Sequence, residues 1–258
     1  MRPQGSFGGR LGSDEVVTHC LLVERAEGLV LVDTGFGLAT VDDPKRLGRV
    51  FTMAMRPALD VAEAALTQVT RLGFTKDDVT DVVLTHMDVD HAGGIGDFPG
   101  ARIHVDASEF QVATKPHGAV GKWRYVAAHW AHHPKWELHG SGGDDWFGFE
   151  GVKVLGDDVL LVPLRGHSHG HVGVAVRRPE GGWLLDAGDS YFSAGETRTP
   201  PAYLPGMVAF QKLMGVDEDT RRDNQARLRE LKAAHGDEVE VFCSHSAEEF
   251  ARLATPVG

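Results

Sequence analysis

The chain has 258 residues, 42% of them hydrophobic and 24% charged, and 26 basic against 37 acidic side chains give a net charge of −11. That length and balance suit a globular protein of one large domain or two small ones, and the acidity argues against nucleic acid or an anionic membrane as partner, since either needs a basic footprint. No apolar run is long enough to cross a bilayer, residues 1–6 lack the apolar core of a secretion signal, and Cys20 and Cys243 read as buried free thiols rather than a disulfide framework; the expected compartment is cytoplasmic.

Residues 16–24 and 29–33 are apolar and β-branched, and the short polar link Arg25-Ala26-Glu27-Gly28 predicts a hairpin between them. Residues 58–66 are rich in helix formers with apolar spacings near three and four, after Pro57 at a first helical position. Thr75 with Asp78 three residues on reads as a helix cap, leading into a buried strand over 81–85. The next six residues hold four candidate metal ligands: His86, Asp88, Asp90 and His91, followed by Gly93-Gly94. Imidazole and carboxylate suit zinc, iron or manganese, and a loop at a strand end can turn alternate side chains toward one spot, which no regular strand or helix does.

A strand over 102–105 and a capping-box pattern at Asp106 to Glu109 follow. Residues 115–150 differ: they hold Trp123, Trp130, Trp136 and Trp146, with His117, His129, His132, His133 and His139 and no period of two. This stretch reads as a lid lining a pocket or as packing that covers a sheet edge or a homodimer contact; His132 and His133 read as surface groups. Strands are expected over 152–154, 159–162, 172–176, 182–185 and 239–243, a charged helix over 218–234, and a final helix capped by Ser246 and Glu249.

The run from His86 to His91 resembles the His-x-His-x-Asp-His signature of the metallo-β-lactamase-fold hydrolases, with Asp88 where the second His stands. Asp33-Thr34-Gly35 resembles a second hallmark whose Asp stands near the metals; a turn in which Asp33 bonds backbone amides serves the same residues. Gly166-His167-Ser168-His169-Gly170-His171 is similar to the family's Gly-His-Thr-Pro-Gly-His loop, which implies His167 as ligand and His171 as support. His169 stands at the Pro position, as a pocket residue, a proton carrier or an exposed side chain. Gly188-Asp189 resembles the strand-end pair whose carboxylate bridges two metals, with Asp186 a competitor by type, and His245 matches the final ligand. Cys243 beside it is a weaker candidate. Taken singly each reads as a turn or surface residue; four motifs in the family's order at predicted strand ends reverse that reading.

The resemblance covers about residues 16 to 250. It implies an α/β fold, a four-layer αββα sandwich of two mixed β-sheets flanked by helices, as a single domain over 1–258 with a Trp- and His-rich cap at about 106–150. It also implies two divalent metal ions, one on His86, Asp88 and His167 and one on Asp90, His91 and His245, bridged by Asp189. Zinc is the first expectation; iron or manganese is favoured by the harder oxygen of Asp88, and a one-metal site follows if Asp88 points away. The implied activity is hydrolysis of a small-molecule lactone, ester or thioester by a metal-activated water, with Asp90 holding or accepting the proton and Tyr191 as carbonyl-binding donor or as an ordinary packed residue. An iron-dependent oxidoreductase, of persulfide dioxygenase or diiron type, and an inactive metal-binding scaffold are the alternatives.

Overall fold

The computed structural model describes residues 16–254; residues 1–6, read above for a leader, lie outside them. The chain forms two compact units, one over 18–138 and one over 139–254 with Val16 and Val17. No helix among the described residues is long and apolar enough to cross a membrane.

The first unit carries a five-stranded sheet in the order β1 (Leu21–Arg25), β2 (Gly28–Val32), β3 (Val79–Val83), β4 (Arg102–Asp106), β5 (Lys135–His139). The expected hairpin joins β1 to β2 with Arg25 opposite Gly28, whereas β2, β3 and β4 run parallel. Parallel neighbours need long crossovers, and that between β2 and β3 holds α1 (Leu38–Asp42), α2 (Arg49–Met55) and α3 (Ala65–Arg71). Two expectations shift here. The helix foreseen over 58–66 is a short 3-10 turn at Val61–Glu63 followed by α3, because Asp60 accepts the Ala62 amide and Ala64 is extended. The strand foreseen from residue 16 begins at Leu21, since Val16 bridges to Ser246 within the second unit. The Thr75–Asp78 capping box is present.

After β4, α4 (Ala107–Thr114) and α5 (Gly118–Arg124) complete this unit. Leu84, Met87, Ile95, Phe98 and Ile103 form its core beneath the ligand loop, with Phe110 edge-on to Trp136 at 4.9 Å and Phe51 tilted on Trp123 at 5.6 Å.

The second unit carries a six-stranded sheet in the order β11 (Val239–Phe242), β10 (Trp183–Asp186), β9 (Val172–Arg177), β8 (Val159–Pro163), β7 (Phe149–Leu155), β6 (Asp144–Trp146). Among the described residues of this sheet only β10 and β11 pair in parallel. Helices α6 (Pro205–Met214), α7 (Glu218–His235) and α8 (Ala247–Leu253) accompany it. Leu228 and Leu231 of α7 join Leu185, Val241 and Trp183 in one core, where Trp146 stands edge-on to Trp183 at 5.6 Å.

Glycine is required where the loop after β2 meets the ligand loop. A Cβ on Gly93 would press on the Val89 carbonyl and stand 2.6 Å from the Phe36 oxygen, and one on Gly37, where φ is +75°, would stand 2.5 Å from the Gly94 Cα. All these neighbours are backbone, which cannot rotate away. Gly93→Ala is therefore expected to lower stability in urea titration by roughly 1–3 kcal/mol or more, whereas Gly100→Ala, with nothing within 4 Å, changes it little.

His129 of the Trp- and His-rich stretch is buried, 3.5 Å from the Thr40 hydroxyl, while His132 and His133 are exposed as expected. Burial, reinforced by Arg46, lowers the His129 pKa to about 4. Between that value and the unfolded value near 6.5 the unfolded chain binds the extra proton, so stability falls as pH drops through this window, by up to about 3 kcal/mol. His129→Gln should flatten the loss of stability between pH 7 and pH 4.5 measured by urea unfolding.

Candidate metal centre

In the first unit the site is organised by Asp33, which follows β2. Its Oδ1 accepts the Thr85 amide at 2.8 Å, and its Oδ2 accepts the Thr85 hydroxyl and His91 Nδ1–H, each at 2.7 Å. Asp33 has φ of +54°, a left-handed conformation that Asp tolerates better than most side chains. Thr34 extends the lock: its hydroxyl donates to the His91 carbonyl at 2.8 Å and accepts the Gly94 amide at 3.0 Å. Asp33 and the ligand loop therefore sit beyond the carboxyl ends of neighbouring parallel strands, where open α/β sheets place their sites.

These bonds decide tautomers. The Thr85 hydroxyl donates to Asp33, so it accepts from His86 Nδ1–H at 3.0 Å. His86 and His91 thus have Nδ1 protonated, and a neutral ring then offers Nε2 as a lone pair. His86 Nε2 lies 3.3 Å from Asp88 Oδ2, and His91 Nε2 lies 3.8 Å from Asp90 Oδ1. A lone pair facing a carboxylate oxygen is repulsive unless a cation is shared between them. Two donors held about 2.0–2.2 Å from one tetrahedral ion are roughly 3.3–3.6 Å apart, which fits the first pair.

Asp88 has a second partner that sequence reasoning missed. Arg124, the last residue of α5, donates Nε–H to Asp88 Oδ1 at 2.5 Å, and each side chain is almost wholly buried. Burial opposes the guanidinium charge, but Asp88 and its neighbours outweigh it and hold Arg124 protonated. Next to it, Tyr125 donates its hydroxyl to Glu109 Oε1 at 3.2 Å, and the same oxygen accepts the Met87 amide at 3.1 Å. Burial, with Glu109 and Asp88, pushes the Tyr125 hydroxyl far up and keeps it a donor. Glu109 was read as the far half of a capping box; Asp106 does cap α4, accepting the Ser108 and Glu109 amides, while the Glu109 side chain braces the ligand loop instead. No local spacing announces either role.

The second unit holds the other candidates, again beyond a parallel pair. Asp189 lies in the turn after β10, and His245 follows β11. His245 Nδ1–H donates to the Val17 carbonyl at 2.8 Å, leaving Nε2 toward Asp189 at 3.1 Å. His167 Nε2 lies 3.4 Å from Asp189 Oδ2. Here too imidazole nitrogens converge on one carboxylate. Gly166, with φ of +123°, precedes His167 where a Cβ would meet the Arg221 backbone at 2.5 Å, and its carbonyl accepts the Val216 and Asp217 amides. Phe192 backs the cluster, 4.5 Å from the His245 ring and 6.3 Å from the His167 ring.

The match to the metallo-beta-lactamase superfamily model runs over residues 13–245. A probable metallo-hydrolase of Mycobacterium tuberculosis is 41% identical over 238 residues, spanning 90% of this chain and 76% of that protein. The chain belongs to the metallo-β-lactamase superfamily. The N-acyl homoserine lactonase AttM of Agrobacterium fabrum is 28% identical over 246 residues, 94% of this chain and 87% of the relative. A solved N-acyl homoserine lactone hydrolase, with the product N-hexanoyl-L-homoserine at its catalytic metal centre, matches with a TM-score of 0.73 at 21% identity, over 95% of this chain and 87% of that one. The fold is that of the superfamily: α/β, two mixed β-sheets with flanking helices.

Within this superfamily member, several expectations resolve. His171 donates Nδ1–H to the Leu164 carbonyl at 2.7 Å and accepts the Asp189 amide at Nε2 at 2.8 Å, so each nitrogen is engaged by backbone. His169 is exposed. Asp186 Oδ1 accepts the Gly188 amide at 2.9 Å and shapes the turn that presents Asp189. Cys20 is half-buried rather than buried, and Cys243 is buried; burial pushes the Cys243 thiol up, away from the thiolate a metal takes. Tyr191 packs within the second unit. The ring is fully buried and its hydroxyl donates to Glu249 at 3.1 Å. Glu249, read as a capping-box partner, instead accepts this hydroxyl and the Cys243 amide, while Ser246 caps α8.

Asp33→Asn puts an amide with its own hydrogens where a carboxylate accepts three donors. Unfolding in urea is expected to show a loss of roughly 2–3 kcal/mol, and chelator competition a 10–100-fold weaker hold on a divalent metal.

Proposed function

We propose that the protein is a metal-dependent hydrolase of a small-molecule lactone or related ester, with His86, Asp88, Asp90, His91, His167, Asp189 and His245 as metal ligands. The observation that carries this reading is the tautomer lock: His86, His91 and His245 each give Nδ1–H to the protein's own oxygen and direct Nε2 toward a carboxylate. Such a donor set suits divalent zinc, with iron or manganese as harder alternatives. When bound, such ions polarise a carbonyl oxygen and acidify a water.

The chain's own residues supply the rest. Asp33 and Thr85 orient the imidazoles, and Asp189 is held by its amide on His171. Asp90 is the most accessible of the first unit's candidate carboxylates, with its side chain 21% exposed, and takes the proton at its carboxylate. Tyr191 takes no part, because its hydroxyl is engaged by Glu249. The named activities of lactonase relatives, AttM among them, support a lactone over a thioester.

Elemental analysis of protein purified without added metal, paired with hydrolysis of N-acyl homoserine lactones and simple esters, tests the reading. Zinc or manganese with hydrolysis, abolished by chelation and lowered by at least about a thousandfold in His245→Ala, is expected. Iron with oxygen consumption and no hydrolysis would replace it by the oxidoreductase reading, and bound metal without turnover would leave a scaffold.

A further inference from the structure

Resting on the metal reading above, we infer that Arg124 is the charge-balancing partner of Asp88, so that the pair presents to the first metal position what a neutral imidazole would. The two carboxylate oxygens of Asp88 face different groups. Oδ1 takes Arg124 Nε–H at 2.5 Å, and Oδ2 stands 3.3 Å from His86 Nε2. One oxygen is therefore claimed by a fixed cation and the other is directed to the same place as the His86 lone pair.

Substituting Asp for His adds one negative charge to a loop that already carries Asp90 and is braced by Glu109. A buried charge is tolerated when paired and hydrogen-bonded, and Arg is the side chain suited to a buried pairing because its fork is planar and always charged. Arg124 is held in place independently of any ion. It ends α5, and the adjacent Tyr125 is anchored through Glu109 to the Met87 amide, one residue before Asp88. Arg124 and Asp88 are thus tied together by backbone-linked neighbours as well as by their own bond. Arg124 is a positioning residue: it acts on the ion through Asp88.

The pairing has a signature that a merely structural arginine lacks. Removing the guanidinium uncovers the full charge of Asp88, which should strengthen cation binding and favour harder ions. The measurement is zinc and manganese affinity by chelator competition, with thermal unfolding of the metal-free protein. Arg124→Leu is expected to hold zinc at least tenfold more tightly than the natural chain, with a larger gain for manganese, while its metal-free form unfolds at lower temperature. Arg124→Lys, which keeps the charge, should remain within about threefold. Should Arg124→Leu not fold, Asp88→Asn and the double variant Asp88→Asn/Arg124→Leu answer the same question, since the double variant leaves no lone buried charge. The double variant should bind zinc more tightly than Asp88→Asn alone.

A folded Arg124→Leu with unchanged or weaker zinc affinity, or a double variant no tighter than Asp88→Asn, overturns the inference. Absence of zinc binding by the natural chain would instead overturn the metal reading itself, so the two failures are distinguishable.

Discussion

A neutral imidazole has one proton and one lone pair on its ring nitrogens, and whichever nitrogen keeps the proton decides where the lone pair goes. Three of the proposed metal ligands have that choice made for them. Asp33 takes the His91 proton, Thr85, itself donating to Asp33, takes that of His86, and the Val17 carbonyl takes that of His245. Asp33 is therefore the residue on which most of the first unit's arrangement depends. It fixes two rings, the Thr85 amide and, with Thr34, the path of the loop that carries Asp88 and Asp90.

Much of this was legible in the chain because it lies where regular structure stops. The strands end at Val32, Val83, Asp186 and Phe242, and the candidate site residues begin within a few residues of each. What was not legible depended on competition between partners. Asp106-Ala107-Ser108-Glu109 and Ser246 to Glu249 carry a capping pattern, and Asp106 and Ser246 do cap their helices. Each Glu finds a better use: a buried backbone amide and a tyrosine hydroxyl left in want of an acceptor. The pattern cannot show this, because the rival donors are remote in sequence. The short helices between residues 38 and 55 went unread because they are too brief to show a period. Arg124 was hidden among tryptophans and histidines, with no spacing that ties it to a residue 36 positions earlier.

Asp88 also shows how a motif departure is read physically. By composition alone it is an extra charge and a harder donor. Arg124 against one of its oxygens brings the opposite charge, while the other oxygen faces His86. A one-letter difference in the motif is thus answered by another side chain outside it.

The two glutamates have a wider implication. Glu109 and Glu249 stand in different units, in the similar tetrads Ala107-Ser108-Glu109-Phe110 and Ala247-Glu248-Glu249-Phe250, and each receives one peptide N–H close to a turn bearing candidate ligands and one phenol. Kinship between halves of a protein would then be sought in the jobs side chains perform as well as in the letters that spell them. A comparison by shared acceptor and shared donors aligns these two glutamates as the short string around them does.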